Sequence, residues 1–320
     1  MARIKLNTLS EKINKSVPAI QLPRTSIHDA YCLDFKITIQ NAGTAAATPA
    51  IADVLAAVDQ IVLTSDSTRV HYSLNGLDVA RRNALFGASD VDKVIEKTLS
   101  SIAASASADV EFTLFLDEGD IVAVAHDSLE LKVTFGSTAG TNLNVTAADV
   151  TTTIVEKIPT GTELIQMYGQ NFEYVAEPKV YAITTTIPAN TEFTGVLDLP
   201  TGTLLTGAML YFSAAPQQVG ILQTVPDRSE LIKINWRTMR AIDERKYKTA
   251  MPAGMVTLEY GVQWYDNGLG VPAWTYNKGD RQVGVKSPAQ TTLRYVSFER
   301  MVDTATYTKT GIVNIGGSFV

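Results

Sequence analysis

The sequence is poor in cysteine and histidine. Its 320 residues include one cysteine, Cys32, and three histidines, His28, His71 and His126. One cysteine excludes an intrachain disulfide framework and a multi-cysteine metal cluster, and its neighbours predict a buried thiol in a strand. The histidines are far apart in sequence, without an HxxxH or HxE pairing. They predict isolated polar or core side chains, with no metal site and no cofactor.

Motifs for phosphate binding and nucleophilic catalysis are also missing. Neither GxxxxGK[ST], GxGxxG nor GxSxG occurs. The densest carboxylate group is "DEGD", residues 117–120, whose oxygens suit calcium, but its place between two alternating stretches favours an acidic hairpin turn. Glycoside hydrolysis needs two carboxylates facing each other across a cleft, and no spacing here indicates such a pair. The sequence predicts no catalytic residue and no enzyme.

Charge is scarce as well. Charged residues make up 19% of the chain and hydrophobic residues 45%, yet no run approaches the roughly 18 apolar residues of a membrane span. The N-terminus lacks the uninterrupted apolar segment of a secretory signal, so we expect synthesis in a cytoplasm. A net charge of -6 argues against a general nucleic-acid binder, which needs basic surface, and we expect no sequence-specific nucleic-acid partner.

The positive charge that is present is concentrated at the N-terminus. Residues 1–25 hold five cations and one anion, a net +4, so the remaining residues carry -10. A helix over this segment would place apolar side chains from Leu6 to Val17 on one stripe with lysines around it. We therefore expect a basic arm that contacts an anionic membrane surface or a neighbouring subunit through Arg3, Lys5, Lys12 and Lys15. The alternative is a disordered terminus.

Strict alternation of apolar and polar residues is the strongest pattern in the chain. It occurs in "LDFKITIQ" (33–40), "EFTLFLD" (111–117) and "LELKVTF" (129–135), and it returns in "VTLEYGVQW" (256–264). Period-two alternation is typical of strands that bury one face. Polar turns such as "LPTG" and "NKGD" separate the stretches. Many short strands joined by such turns predict antiparallel β-sandwiches.

Three short segments have helical spacing. Leu77, Ala80 and Ala84 form a stripe that ends at Gly87, and Met239 and Ile242 lie one turn apart. In the second of these segments Arg240 and Glu244 are spaced to pair at i, i+4. The third, "SDVDKVIEKTLSSIA" (89–103), begins at an N-cap serine. These helices are too few to form a layer, so we expect them to cap the sandwiches.

The same order of elements occurs twice. A strand and helix over 69–86, followed by "ADVEFTLFLD" and "SLELKVTF", match a strand and helix over 230–247, followed by "MVTLEYGVQWYD" and "TLRYVSF". The match predicts an all-β chain made of one sandwich repeated, with loops of different length. We expect the N-terminal arm at 1–25, the first sandwich at 26–165 and the second at 166–320.

A local motif adds to this layout. In "AAVDQIVLTSDSTRVHYSLNGLDVARRNAL" a strand with Val58, Ile61 and Leu63 leads through "SDST" to a second strand, then to Asn75 and Gly76 before a helix. With the duplication, this resembles the double jelly-roll major capsid proteins of tailless icosahedral bacterial viruses that enclose a membrane. The resemblance implies two tandem jelly-roll sandwiches with short capping helices.

The resemblance also implies a function and partners. It implies a structural subunit that forms pseudo-hexagonal homotrimers, contacts neighbouring capsomers and minor capsid or vertex proteins, and resides in the virion after synthesis in the host cytoplasm. The basic arm would then face membrane lipid or a neighbouring subunit, since anionic lipid attracts basic segments.

Two other readings remain open at the sequence level. A carbohydrate-binding or adhesive β-sandwich would use Trp264 and Trp274, which flank the "DNGLGVPAW" loop, and would bind glycans as a monomer. A hydrolase on a β scaffold would need a cleft with perturbed carboxylates, which the sequence does not identify.

Overall fold

The computed structural model describes residues 3–87, 93–170, 175–225, 228–260 and 270–302. They form two compact units, one up to Pro178 and one from Lys179 onward. Nine strands precede the second unit: β1 Arg3–Thr8, β2 Ile13–Asn14, β3 Ala19–Gln21, β4 Ile27–Asn41, β5 Val58–Ser65, β6 Arg69–Leu74, β7 Ser107–Leu116, β8 Leu129–Phe135 and β9 Leu143–Ile158. The helices here are α1 Ile51–Ala56, α2 Gly76–Phe86 and α3 Gly161–Tyr168.

The first unit is a sandwich of two antiparallel sheets. One sheet has the strand order β1-β9-β4-β7, and the other has the order β6-β5-β8-β3. The alternation along β4 buries Leu33, Phe35 and Ile37 between them. Phe35 stacks on Phe112 of its own sheet at 5.1 Å and meets Phe135 of the opposite sheet edge-on at 6.4 Å. The aromatic contacts therefore join the two layers of the core.

Helix α2 begins with a capping box. The Asn75 side chain accepts a hydrogen bond from the Asp78 backbone N–H at 2.8 Å, and the Asp78 carboxylate accepts one from the Asn75 N–H. This reciprocal capping box satisfies two backbone donors. A Cβ at Gly76 would lie 2.6 Å from the Leu55 carbonyl oxygen, so only glycine allows α1 and α2 to approach this closely. The helix ends before Gly87, as expected.

The second unit contains the remaining strands and helix α4. Its elements are β10 Glu177–Ile187, β11 Thr191–Asp198, β12 Leu204–Phe212, β13 Gln218–Gln223, β14 Ser229–Asn235, α4 Trp236–Tyr247, β15 Met255–Glu259, β16 Val271–Pro272, β17 Arg281–Ser287 and β18 Thr291–Met301. The first two residues of β10, Glu177 and Pro178, belong to the first unit. One sheet has the order β10-β18-β12-β15 and the other β11-β17-β13-β14. Their inner faces bury an aliphatic core that includes Leu210, Ile221, Val283 and Leu293.

The two units share one topology. Replacing β1-β9-β4-β7 by β10-β18-β12-β15, and β3-β8-β5-β6 by β11-β17-β13-β14, keeps the order of neighbours along these four paths, while the short strands β2 and β16 pair differently. Helix α2 then corresponds to α4, and β7 corresponds to β15, as the sequence comparison predicts. The expected match of "SLELKVTF" with "TLRYVSF" is wrong, because β8 corresponds to β17, while β18 corresponds to β9. The two segments have the same alternation of apolar and polar residues. The sequence comparison therefore matched β8 with β18, one strand later than its true counterpart β17.

Two other predictions from the sequence concern the third helix and the domain boundary. Residues 89–92 of the expected third helix lie outside the described residues, and from 93 onward only a single 3-10 turn, Val94–Glu96, is helical. The helix prediction is wrong there, because the Ile102 backbone forms a bridge with Ala47 and its carbonyl also accepts a hydrogen bond from Asn41. The domain boundary at 165/166 stays a prediction, and helix α3 runs through it.

None of the helices in the described ranges is both long enough and apolar enough to cross a membrane.

Candidate functional site

The N-terminal residues belong to a sheet. Strand β1 pairs antiparallel with β9 from Arg3 opposite Ile158 to Thr8 opposite Thr153, and β2 pairs with the same strand further along. The amphipathic helix considered for this segment is therefore not formed. The apolar residues from Leu6 to Val17 fit a helical stripe, but alternation over residues 3–8 and the backbone ladder with β9 decide the structure. Strand β1 is an edge strand of this sheet, since it stands first in the strand order.

The four predicted contact residues differ in their surroundings. The Lys5 ammonium lies 3.8 Å from the carboxylate of Glu156, which also accepts a hydrogen bond from Asn7 at 3.1 Å. The Lys15 ammonium donates to the Val145 carbonyl at 2.6 Å. Arg3 and Lys12 are exposed. Two of the four cations are therefore engaged within the first unit, which ties the arm to its own sandwich.

The outward face of β1 is apolar. Ile4 and Leu6 are 69% and 67% exposed, although both are large aliphatic side chains. They lie opposite Lys157 and Val155 in the ladder, on the face away from the core. Two adjacent exposed aliphatic residues on an edge strand favour an interaction surface over a solvated one.

Cys32 lies in strand β4, as predicted, but the expectation that it is buried in the core is wrong. Tyr31 and Leu33 are buried, whereas Cys32 is partly exposed beside Asp34 on the outward face. The reason is the period of two, because Leu33 and Cys32 must point to opposite faces of the sheet.

The "DEGD" segment is a turn, but not a hairpin, because β7 and β8 belong to different sheets. Its carboxylates are also less solvated than a surface turn implies. Glu118 is 5% exposed and pairs with Arg82 at 2.8 Å, and Asp117 pairs with the same guanidinium. Burial raises the pKa of Glu118, while Arg82 opposes that shift. These residues form an internal ion-pair group.

The last residue of "DEGD" takes part in a second polar group. The Lys157 ammonium lies 2.8 Å from Asp120 and 2.5 Å from Asp29, and the Tyr168 hydroxyl donates to Asp120 at 2.9 Å. Burial lowers the pKa of Lys157, but its hydrogen bonds to the two carboxylates outweigh burial and the pKa is raised. Helix α3 is thereby attached to the turn before β8.

Two of the histidines meet in the first unit. The rings of His71 on β6 and His126, which precedes β8, pack edge to face at 5.6 Å. With Glu177 at the start of β10 they form a buried group whose candidate ligand atoms all lie within 4.8 Å of one another. We call His71, His126 and Glu177 the histidine–carboxylate cluster. The expectation of isolated histidines is wrong for this pair.

Carboxylates surround His126 in the cluster. Its Nδ1 donates to Asp66 and its Nε2 donates to Glu177, each at 2.8 Å. Burial lowers the pKa of His126, but the hydrogen bonds to Glu177 and Asp66 outweigh burial and the pKa is raised. Burial lowers the pKa of His71 to about 4, so this ring is neutral. Its Nδ1–H donates to the Pro178 carbonyl at 3.3 Å, and its Nε2 accepts from the Ser65 hydroxyl at 2.8 Å.

Sequence reasoning missed this cluster because its members are far apart along the chain. His71 and Glu177 are brought together by the fold of the sheet and not by a local spacing. The one available signal was the polar residue placed among buried strand positions, since His71 lies in β6 beside buried Tyr72. That signal indicates a satisfied core histidine as readily as a ligand.

The two tryptophans proposed for glycan binding, Trp264 and Trp274, do not support that interpretation. Trp264 lies outside the described residues, and Trp274 is partly buried in the 3-10 turn Ala273–Thr275.

Comparisons with known proteins agree with the architecture. No protein-family model matches the chain, and no curated protein matches it. Among solved structures, the major capsid protein of Sulfolobus Turreted Icosahedral Virus superposes with a TM-score of 0.82 at 17% identity, covering 96% of this chain and 99% of that one. The major capsid protein from Bacteriophage PM2 gives 0.60 at 11% identity, covering 94% and 98%.

A third structure extends the comparison. The PBCV-1 virus capsid model gives a TM-score of 0.64 at 10% identity, with 94% of each chain covered. Each superposition extends over both units, and identity this low speaks for the fold. The chain therefore has the double jelly-roll fold of the major capsid proteins of icosahedral viruses.

Proposed function

We propose that this chain is a major capsid protein that assembles into the shell of an icosahedral virus. The observation that carries the proposal is the superposition on the Sulfolobus virus capsid protein, which extends over 96% of this chain and 99% of the other. The match extends over both sandwiches and over nearly the whole length of each chain. The role is structural and not enzymatic, and its location is the virion.

The capsid subunit is proposed to be a homotrimer. Each chain supplies two sandwiches of one topology, so three chains supply six similar modules, which suits a pseudo-hexagonal capsomer. Neighbouring capsomers and minor capsid or vertex proteins are the further partners. A low share of charged residues, 19%, agrees with surfaces that become covered by protein.

Strand β1 is proposed as one of the assembly contacts. Ile4 and Leu6 present exposed aliphatic side chains, and Arg3 and Lys12 add positive charge nearby. This combination suits a neighbouring subunit or the anionic surface of an internal membrane. Lys5 and Lys15 contribute indirectly, because their contacts to Glu156 and Val145 fix the segment on the first sandwich.

The first test is the native mass of the purified full chain, by size exclusion with light scattering. We expect three chains of 34.6 kDa, about 104 kDa, or larger shells. Electron microscopy of that species should then reveal pseudo-hexagonal particles. A 34.6 kDa monomer at all concentrations up to the millimolar range, with no shells, would contradict the proposal. In that case a glycan array would test the carbohydrate-binding alternative.

A further inference from the structure

The histidine–carboxylate cluster has the composition of a transition-metal site. Two imidazoles and one carboxylate form a donor set that zinc takes in proteins. All three side chains are buried: His71 is 0% exposed, His126 6% and Glu177 1%. They come from β6, the segment before β8, and the start of β10. We infer that His71, His126 and Glu177 form a binding site for a zinc ion.

The spacing of the donors is close to that of a bound ion. The three candidate ligand atoms lie within 4.8 Å of one another. Three points so spaced all lie within about 2.8 Å of a common centre, while zinc bonds to nitrogen and oxygen are about 2.0–2.2 Å long. Side-chain movements of less than about 1 Å therefore bring the three donor atoms to bonding distance from the centre, and no backbone movement is required.

The surrounding groups orient the ligands as they do around protein-bound zinc. Asp66 accepts a hydrogen bond from Nδ1 of His126, which directs Nε2 of that ring towards Glu177. Metal-bound histidines commonly donate their second nitrogen to a carboxylate or a backbone carbonyl. His71 has the Pro178 carbonyl on one nitrogen and the Ser65 hydroxyl on the other, so the nitrogen that does not bind zinc has a partner to which it can donate.

Glu177 has a carboxylate oxygen suited to the ion. Its Oε1 accepts hydrogen bonds from the Val122 backbone at 3.0 Å and from His126 at 2.8 Å. Its Oε2 is buried and accepts no hydrogen bond from the described residues, although the Arg69 guanidinium lies 3.3 Å away. The Arg69 side chain is 38% exposed, so it can move towards solvent when a cation takes its place. A buried acceptor with unused lone pairs is costly unless a ligand satisfies it.

Zinc binding exchanges one ion for one proton. The Nε2 proton of His126 passes to solvent, and the Nε2 lone pair then bonds to the metal beside the Glu177 carboxylate. The bound ion would link three separate segments of the first unit and raise its thermal stability.

The experiment uses the untagged full chain, freed of metal with a chelator and then incubated with zinc sulfate at pH 7.5. Bound zinc is counted by mass spectrometry after desalting, and the melting temperature is recorded with and without zinc. We expect about one zinc per chain and a higher melting temperature. His71→Gln and Glu177→Gln should each lose the bound zinc, whereas His28→Gln, a buried histidine bonded to Tyr31, should keep it.

Two results would overturn the inference. One is a metal-free wild-type chain that takes up no zinc, in which case the cluster is an ion-pair group alone. The other is undiminished zinc in folded His71→Gln. If the cluster variants do not fold, cobalt is added to the wild-type chain instead. A tetrahedral cobalt absorption band that zinc abolishes supports the site, and its absence refutes it.

Discussion

Asp243 on helix α4 is a buried carboxylate with its hydrogen bonds directed at one residue. One oxygen accepts from the Thr257 backbone N–H at 2.7 Å and the other from its hydroxyl at 2.8 Å. Asp243 is 2% exposed, and burial raises its pKa from 3.8 to about 6 in spite of these bonds. The helix is thus fixed to strand β15 by a group that is costly to ionise.

This residue predicts a pH-dependent stability. Because the folded pKa is raised, the contribution of Asp243 is complete below pH 3.8 and is lost as the pH rises through about 6. Asp243→Asn keeps an acceptor for the Thr257 N–H and does not ionise. We expect the unfolding free energy of wild type to fall relative to this variant by up to about 3 kcal/mol between pH 4 and pH 7.

Urea unfolding at pH 4, 5, 6 and 7 measures the difference between the two proteins. Glu192→Gln serves as the control, because the Glu192 side chain is 83% exposed. Its difference from wild type should change little over the same range. A difference between wild type and Asp243→Asn that stays constant with pH would show that the carboxylate is not perturbed.

Helices α2 and α4 occupy the same place in the two units but begin differently. Asn75 caps α2 through a reciprocal box with Asp78, whereas the Asn235 side chain makes no capping hydrogen bond to α4. Asn235 instead accepts a hydrogen bond from the Gln218 side chain at 3.1 Å. The same residue type at corresponding positions therefore has a different structural role.

A pair of alanine variants separates these roles. Asn75→Ala should lower the unfolding free energy by about 1 kcal/mol, since the Asp78 backbone N–H at the start of α2 loses its side-chain acceptor. Asn235→Ala should cost only a few tenths of a kcal/mol, because an exposed side-chain hydrogen bond contributes little. Chemical denaturation of both variants measures this. Equal losses would mean that the capping box does not stabilise α2.

The sequence predicts the strands well and the site poorly, for a physical reason. Alternation is local, so β4, β7 and β8 could be located from a few residues each. The apolar residues over 3–17 fit a helical stripe as well as strands, and the ladder with β9 decides in favour of strands. The cluster of His71, His126 and Glu177 depends on strand order across more than a hundred residues. No local sequence pattern predicts that residues so far apart in the chain lie close together in space.

At the scale of the whole molecule, assembly should depend on the outward face of β1. Fully burying an aliphatic side chain contributes about 1.5–3 kcal/mol. We expect Ile4→Thr/Leu6→Thr to fold with an unfolding free energy within about 0.5 kcal/mol of wild type, because both side chains are exposed. Self-association should nevertheless require at least about tenfold more protein.

Light scattering across a concentration series measures this change. The control is Val225→Thr/Leu231→Thr, which replaces two exposed aliphatic residues of the second unit, 52% and 37% exposed. It should associate as wild type does. If the β1 variant assembles normally while the protein remains folded, strand β1 is not an assembly contact.

The shared topology also has a consequence for the history of the gene. In the described residues β1 to β9 are followed by β10 to β18, and the strands that correspond in topology come in the same order in both series. One head-to-tail copying of a coding segment gives this order, with no permutation or strand exchange. Helix α3 then occupies the junction, and the reciprocal capping box, formed at α2 and not at α4, is a difference that followed the event.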